Sequence, residues 1–76
     1  MSQKIEDSVF ELISSTLKVD RSIVSLELAM GDIPEWDSLA HISLLTAVEG
    51  KLGRSLDIEE TIEIEDVSDI MSLFDK

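Results

Sequence analysis

Asp37-Ser38-Leu39-Ala40-His41-Ile42-Ser43-Leu44-Leu45-Thr46-Ala47-Val48-Glu49-Gly50-Lys51-Leu52-Gly53 reads as one helix with both of its ends written into it. Leu39, Ile42, Leu45, Val48 and Leu52 recur at three- and four-residue spacings, the repeat of a single helical stripe. Asp37 is a favoured N-cap type, because its carboxylate can accept from the unpaired amides of a first turn. Gly53 can adopt the left-handed conformation in which many helices end. The stretch therefore predicts a helix from about Ser38 to Leu52, and the rest of the chain is read around it.

Upstream, Ile5, Val9, Leu12, Ile13 and Leu17 mark one stripe of a helix from about Lys4 to Leu17. Its start is open between Ser2 as N-cap and a later capping box of Ser8 with Glu11. From Lys18 to Asp37 the period is lost, and Gly31, Asp32 and Pro34 are turn formers. So long a connection needs anchors or a function, and Val19, Ile23, Val24, Leu26 and Leu28 are the candidate anchors. Downstream, Leu56, Ile58, Ile62 and Ile64 surround a short helix. Asp66 can cap a last one with the stripe Val67, Ile70, Met71, Leu73 and Phe74. The alternation in Leu56-Asp57-Ile58 and Ile62-Glu63-Ile64-Glu65 is too brief for a stable sheet without a third strand. The expected fold is all-α: a small four-helix bundle, three longer helices plus one short, with a long loop between helices one and two.

At 76 residues the chain is expected to form a single domain over 1–76. A domain of that size buries only about 60% of the surface its unfolded chain exposes, which leaves no deep substrate cavity and argues against an autonomous enzyme. Hydrophobic residues make up 43%, enough to drive folding. Cysteine is absent, so neither a disulfide framework nor a thiolate metal site is available. No apolar run approaches the roughly 20 residues that span a bilayer, and Met1 to Asp7 lacks the apolar core of a signal peptide. A cytoplasmic location without membrane insertion is expected. Seventeen acidic against six basic residues give a net charge of −11, which repels nucleic acid and anionic headgroups and steers basic protein surfaces inward. The same self-repulsion favours a monomer.

Glu35-Trp36-Asp37-Ser38-Leu39 lies where the long loop gives way to the second helix, placing Ser38 in its first turn. Unpaired amides and the positive end of the helix dipole favour an anionic group there by roughly 0.3 to 1 kcal/mol. Asp-Ser-Leu at the start of a second helix, continued by Ala40-His41-Ile42-Ser43-Leu44-Leu45, resembles the attachment motif of the acyl carrier protein family. The order of long helix, long loop, serine, second helix, short acidic helix and final helix is similar to that family over essentially the whole chain. The resemblance implies a phosphopantetheine-binding carrier rather than an enzyme. A separate phosphopantetheinyl transferase would move 4′-phosphopantetheine from coenzyme A to Ser38, and acyl groups would ride on the arm as thioesters. It also implies that Asp37 helps orient the incoming group and that Leu39 docks in the transferase or packs at the helix start. Taken alone, an Asp-Ser pair at a helix start is ordinarily no more than a cap.

Between Leu39 and Leu52 the only charges apart from His41 are Glu49 and Lys51, fewer than the family's commonest pattern carries on its second helix. That departure favours a specialised lipid or secondary-metabolite pathway over housekeeping fatty acid biosynthesis, with a peptidyl or aminoacyl carrier as the alternative. Loading and transferring enzymes with basic or apolar docking surfaces are the expected partners. Leu39, Ile42, Leu45, Ile62 and Ile64 are candidates either to line an acyl groove or to pack in the core. From a different class, the chain could be an acidic helical interaction module without a prosthetic group.

His41 shares a helix face with Ser38 and raises a serine-histidine nucleophile pair, but no nucleophile elbow or oxyanion pocket accompanies it. It reads instead as a surface residue near the arm. Trp36 reads as a loop anchor ahead of a partner contact. Asp57, Glu59, Glu60, Glu63, Glu65 and Asp66 cluster around the short helix without the glycine and alternation of a calcium loop, so no metal site is expected and a solvated face or partner recognition remains.

Overall fold

The computed structural model describes the backbone of residues 2–74 and the side chains of residues 5–74. Its elements are α1 (Ser2–Leu17), a 3-10 turn (Arg21–Ile23), α2 (Ser38–Leu52), α3 (Ile58–Glu63) and α4 (Val67–Leu73), and the described residues form no strand. This is the all-helical four-helix arrangement expected. Helix α1 already includes Ser2, so the later start at Ser8 is ruled out, while the cap at that end lies outside the described residues. At the other end Lys18 takes a φ of 60° and the Val19 N–H reaches back to the Ser14 carbonyl at 3.0 Å, a left-handed closure made without glycine.

The core is one cluster to which three helices and the loop contribute. Val9, Ile13 and Leu17 come from α1, Leu44 and Val48 from α2, and Val67, Ile70 and Leu73 from α4. The loop adds Val24, Leu28 and Trp36, and Ile64 enters just after α3. Two expected loop anchors, Ile23 and Leu26, are exposed instead, and so is Ile5 at the start of the α1 stripe. The anchors are fewer because backbone pairing shares the task. The Met30 N–H donates to the Glu65 carbonyl at 3.0 Å, and the Val67 and Ser68 N–H groups donate to Leu28 and Leu26 at 2.9 and 3.1 Å. An isolated antiparallel bridge, Ala29 to Asp66, thus stitches the loop to the α3–α4 turn. Such pairing satisfies backbone groups that a loop packed on a core would otherwise leave unpaired.

Helix α2 begins and ends where its sequence says. The Asp37 carboxylate accepts from the Ala40 N–H at 2.9 Å, and Gly53 closes the helix at φ 79°. The face is another matter. Leu39 and Ile42 are 75% and 62% exposed, while Leu44, outside the expected stripe, is fully buried beside Val48. The helix is apolar nearly all round, so periodicity selects no side, and the position of α1 and Trp36 does.

Helix α3 buries no residue. It is held by polar contacts: Arg54 grips Glu60 through two bonds of 3.0 and 2.9 Å, Glu60 accepts from the Asp57 N–H at 2.9 Å, and Glu49 accepts from the Leu56 N–H at 2.7 Å. Ile58 and Ile62 consequently point outward, 77% and 69% exposed. No helix among the described residues is long and apolar enough to cross a membrane.

Candidate functional site

The site is the entry to α2. Trp36 is completely buried and fixed at both backbone groups: its N–H donates to the Ile33 carbonyl at 3.1 Å, and its carbonyl accepts from the Gly31 N–H at 2.9 Å. Gly31 has φ 93°, a conformation an L side chain resists, so the turn before the tryptophan depends on that glycine. Asp37 follows in extended conformation and caps Ala40. Ser38 is the first helical residue, and its side chain is exposed. The first-turn amides beside it have no intrahelical acceptor, so the dipole and the free N–H groups both face an anion placed on the Ser38 oxygen.

His41 is not the surface residue the sequence suggested. It is half-buried, and its Nδ1 accepts from the Trp36 indole N–H at 2.9 Å, the two rings 5.9 Å apart between centroids with their planes at 26°. Burial pushes its pKa below the ordinary histidine value, against a smaller opposing effect from a backbone hydrogen bond with Ile64. With Nδ1 accepting from the indole, the neutral ring carries its hydrogen on Nε2, so neither nitrogen is open to take a proton from Ser38, which removes the serine-histidine pair. Trp36 is the loop anchor expected. The bond between them was missed, although a buried indole N–H needs an acceptor and His41, five residues on, is a strong one.

The hydrophobic groove candidates separate. Ile62 and Ile64 line an open groove of about 380 Å³ between the loop, α2 and α3, where His41 and Met30 also face. Leu39 borders a second groove of about 380 Å³ on the α1 side, with Thr16, Lys18 and Ser43. Ile42 is exposed, and Leu45 packs against the core. Leu39 therefore does not pack at the helix start. The acidic residues are also put to different uses. Asp66 caps α4 through the Asp69 N–H at 2.8 Å and Glu60 binds Arg54, whereas Glu59, Glu63 and Glu65 are exposed. No group of three or more His, Asp or Glu side chains able to hold a metal occurs among the described residues.

No family model matches the chain. Individual relatives do. The acyl carrier proteins of Rickettsia canadensis (strain McKiel) and Rickettsia conorii (strain ATCC VR-613 / Malish 7) are each 30% identical to it over 70 residues, 92% of this chain and 81% of the relative. That of Rickettsia prowazekii (strain Madrid E) is 29% identical over the same span. A likeness of 30% over 92% of the chain leaves out only a few residues, and on it the chain belongs to the acyl carrier protein family, with the general role of a carrier.

Proposed function

We propose that residues 1–76 form one carrier domain whose cargo is held on 4′-phosphopantetheine attached to Ser38. The observation that carries this reading is the exposed Ser38 side chain at the first position of a 15-residue helix, two residues after the fully buried Trp36, in a chain that belongs to the carrier family. The residues fit the group. The hydroxyl is open to an incoming enzyme, the first-turn amides favour a phosphodiester, and Asp37 directs its carboxylate to the Ala40 N–H, which leaves the amides of Ser38 and Leu39 for the phosphate. In the transfer the Ser38 oxygen forms a bond to the pantetheine-side phosphorus of coenzyme A. The pyrophosphate bond breaks, adenosine 3′,5′-bisphosphate leaves, and the serine proton passes to the transferase. When bound, the group supplies a terminal thiol on which acyl groups are carried as thioesters.

This chain's own residues present and protect the junction; they catalyse nothing. Asp37 orders the first turn, and the exposed Leu39 is a contact for the transferase. The neutral α2 face, with Leu39 and Ile42 outward, favours loading and transferring enzymes with apolar docking surfaces, and the exposed acids of α3 favour a basic margin around them. The same face favours a specialised lipid or secondary-metabolite pathway. A peptidyl or aminoacyl carrier is the alternative, separated by which adenylating enzyme loads the holo form. The setting we propose is a cytoplasmic monomer. Intact-mass measurement after incubation with coenzyme A and a broad-specificity phosphopantetheinyl transferase tests the assignment. A phosphopantetheine increment on the native chain and none on Ser38→Ala is expected. A folded native chain that gains nothing would sink it in favour of an acidic interaction module.

A further inference from the structure

Trp36 and His41 stand at the two ends of the turn that presents Ser38, and the chain has one tryptophan, one histidine and no tyrosine. The indole N–H is sealed from water and has the His41 Nδ1 as its acceptor at 2.9 Å. An accepting Nδ1 carries no proton, so the bond exists only with the neutral imidazole that keeps its hydrogen on Nε2. A proton on Nδ1 would oppose two donors. Of the ionisable groups on the elements around this ring, Glu65 lines the same groove from the α3–α4 turn, and Asp37, one turn back, is engaged at the Ala40 N–H. The remaining groove neighbours, Ala29, Met30, Thr61, Ile62 and Ile64, carry no charge. Burial outweighs every other influence on the imidazole and favours its neutral form.

We propose that the Trp36–His41 hydrogen bond is a positioning strap for Ser38, holding the start of α2 in the form a phosphopantetheinyl transferase reads and releasing it when His41 is protonated. This rests on the assignment of Ser38 as the attachment residue. The strap joins the loop residue before Asp37 to the helix residue three after Ser38, so the turn between them is closed by a side-chain bond as well as by the Asp37 cap. Without it the loop can leave the helix start, and the serine with it.

Two measurements test the strap. Trp36 is the sole tryptophan, so emission from the Ser38→Ala chain reads the bond without any modification chemistry. Between about pH 8 and about pH 5 it is expected to show a one-proton transition below the ordinary histidine value of about 6.5, absent in His41→Asn, whose side-chain oxygen replaces Nδ1 and gains no proton. In the second, native chain and His41→Asn compete in one tube for the transferase and coenzyme A, and the mass ratio of the products cancels the enzyme's own pH response. The ratio of native to His41→Asn product is expected to fall roughly fivefold from the alkaline to the acid end, the factor that accompanies one net hydrogen bond. His41→Phe, which fills the space without an acceptor, is expected to be slow throughout; if that variant unfolds, the competition stands by itself. Flat emission, a constant ratio, or a folded His41→Phe chain modified at the native rate overturns the strap. A chain never modified at any pH overturns the Ser38 assignment and the strap's role together, whereas equal modification at every pH overturns the strap alone.

Discussion

Replacing Asp37 separates the hydrogen bond that holds the start of α2 from the charge that stands beside it. The carboxylate lies 2.9 Å from the Ala40 N–H, in the extended conformation of an N-cap, and no other side chain caps that helix. Truncation to alanine removes the acceptor and the charge at the positive end of the helix. Loss of such a cap costs about 1 kcal/mol, within a range of about 0.5 to 2. For a domain this small that corresponds to a fall in Tm of about 4–8 °C. Asp37→Asn keeps an acceptor of the same reach and loses only the charge, so its cost is expected to stay below about 0.5 kcal/mol. Urea unfolding followed by helical ellipticity, with the dependence on denaturant compared to show that the exposed surface is unchanged, measures both. The asparagine chain should fall near the native one and the alanine chain well below it. Equal losses would mean that the charge, and not the hydrogen bond, holds the turn. A loss under about 0.3 kcal/mol in both would mean that Trp36 and His41 hold it without the cap.

Gly50 lies within α2 with open space where a side chain would stand, so Gly50→Ala is expected to raise stability by about 0.5–1 kcal/mol, whereas Gly53→Ala, at φ 79°, is expected to lower it by about 1 kcal/mol; paired thermal melts check the opposite signs. Leu44→Ala, at a fully buried position between α1 and α2, is expected to cost about 2–5 kcal/mol in urea unfolding, which for a domain of this size approaches the whole of its stability. Leu39→Ser and Ile42→Ser, at the exposed positions, are expected to change stability by less than about 0.5 kcal/mol while weakening the KM of the modifying or loading enzyme. Unfolding by either would mean that the residue belongs to the core.

Features decided within a few residues were legible. Asp37 and Gly53 fix the two ends of α2 by local hydrogen bonding and local backbone conformation, and both ends are found at the expected residues. The stripe of α1 was legible from Val9 to Leu17 because polar residues occupy its other faces, giving the apolar pattern a direction. In α2 the same reasoning lost its footing: with Leu39, Ile42, Leu44, Leu45 and Val48 on different sides, the period is present and the direction is not. Burial then follows the neighbours, and Leu44 rather than Leu39 meets them. The loop was legible as an anchored segment, yet its anchors were read from apolarity alone. Much of its fixation is the backbone pairing of Ala29 with Asp66, which joins distant parts of the chain and leaves no mark on side-chain pattern.

The candidate site divides along the same line. The exposure of Ser38 follows from its place at the first position of a capped helix, a local property. The union of Trp36 with His41 does not, because it requires a turn that brings residue 36 under residue 41, and that turn is set by Gly31 and by the pairing of the loop with the α3–α4 junction. The consequence bears on how so small a body carries a function at all. Among the described residues the buried polar groups are the Ser14 hydroxyl and the Trp36 indole N–H, each spent on a hydrogen bond. On the function proposed above, chemistry is supplied at the surface by other enzymes, and what the fold contributes is the constancy with which one serine is presented. Three devices act at that serine, the first of them supporting the third: the turn at Gly31, the cap at Asp37 and the bond from Trp36 to His41. By contrast α3 buries no side chain and is fastened by exposed polar contacts. The chain concentrates its fastening around Ser38 and leaves least of it in α3, the distribution that suits the proposed carrier, which would offer one fixed point to successive partners.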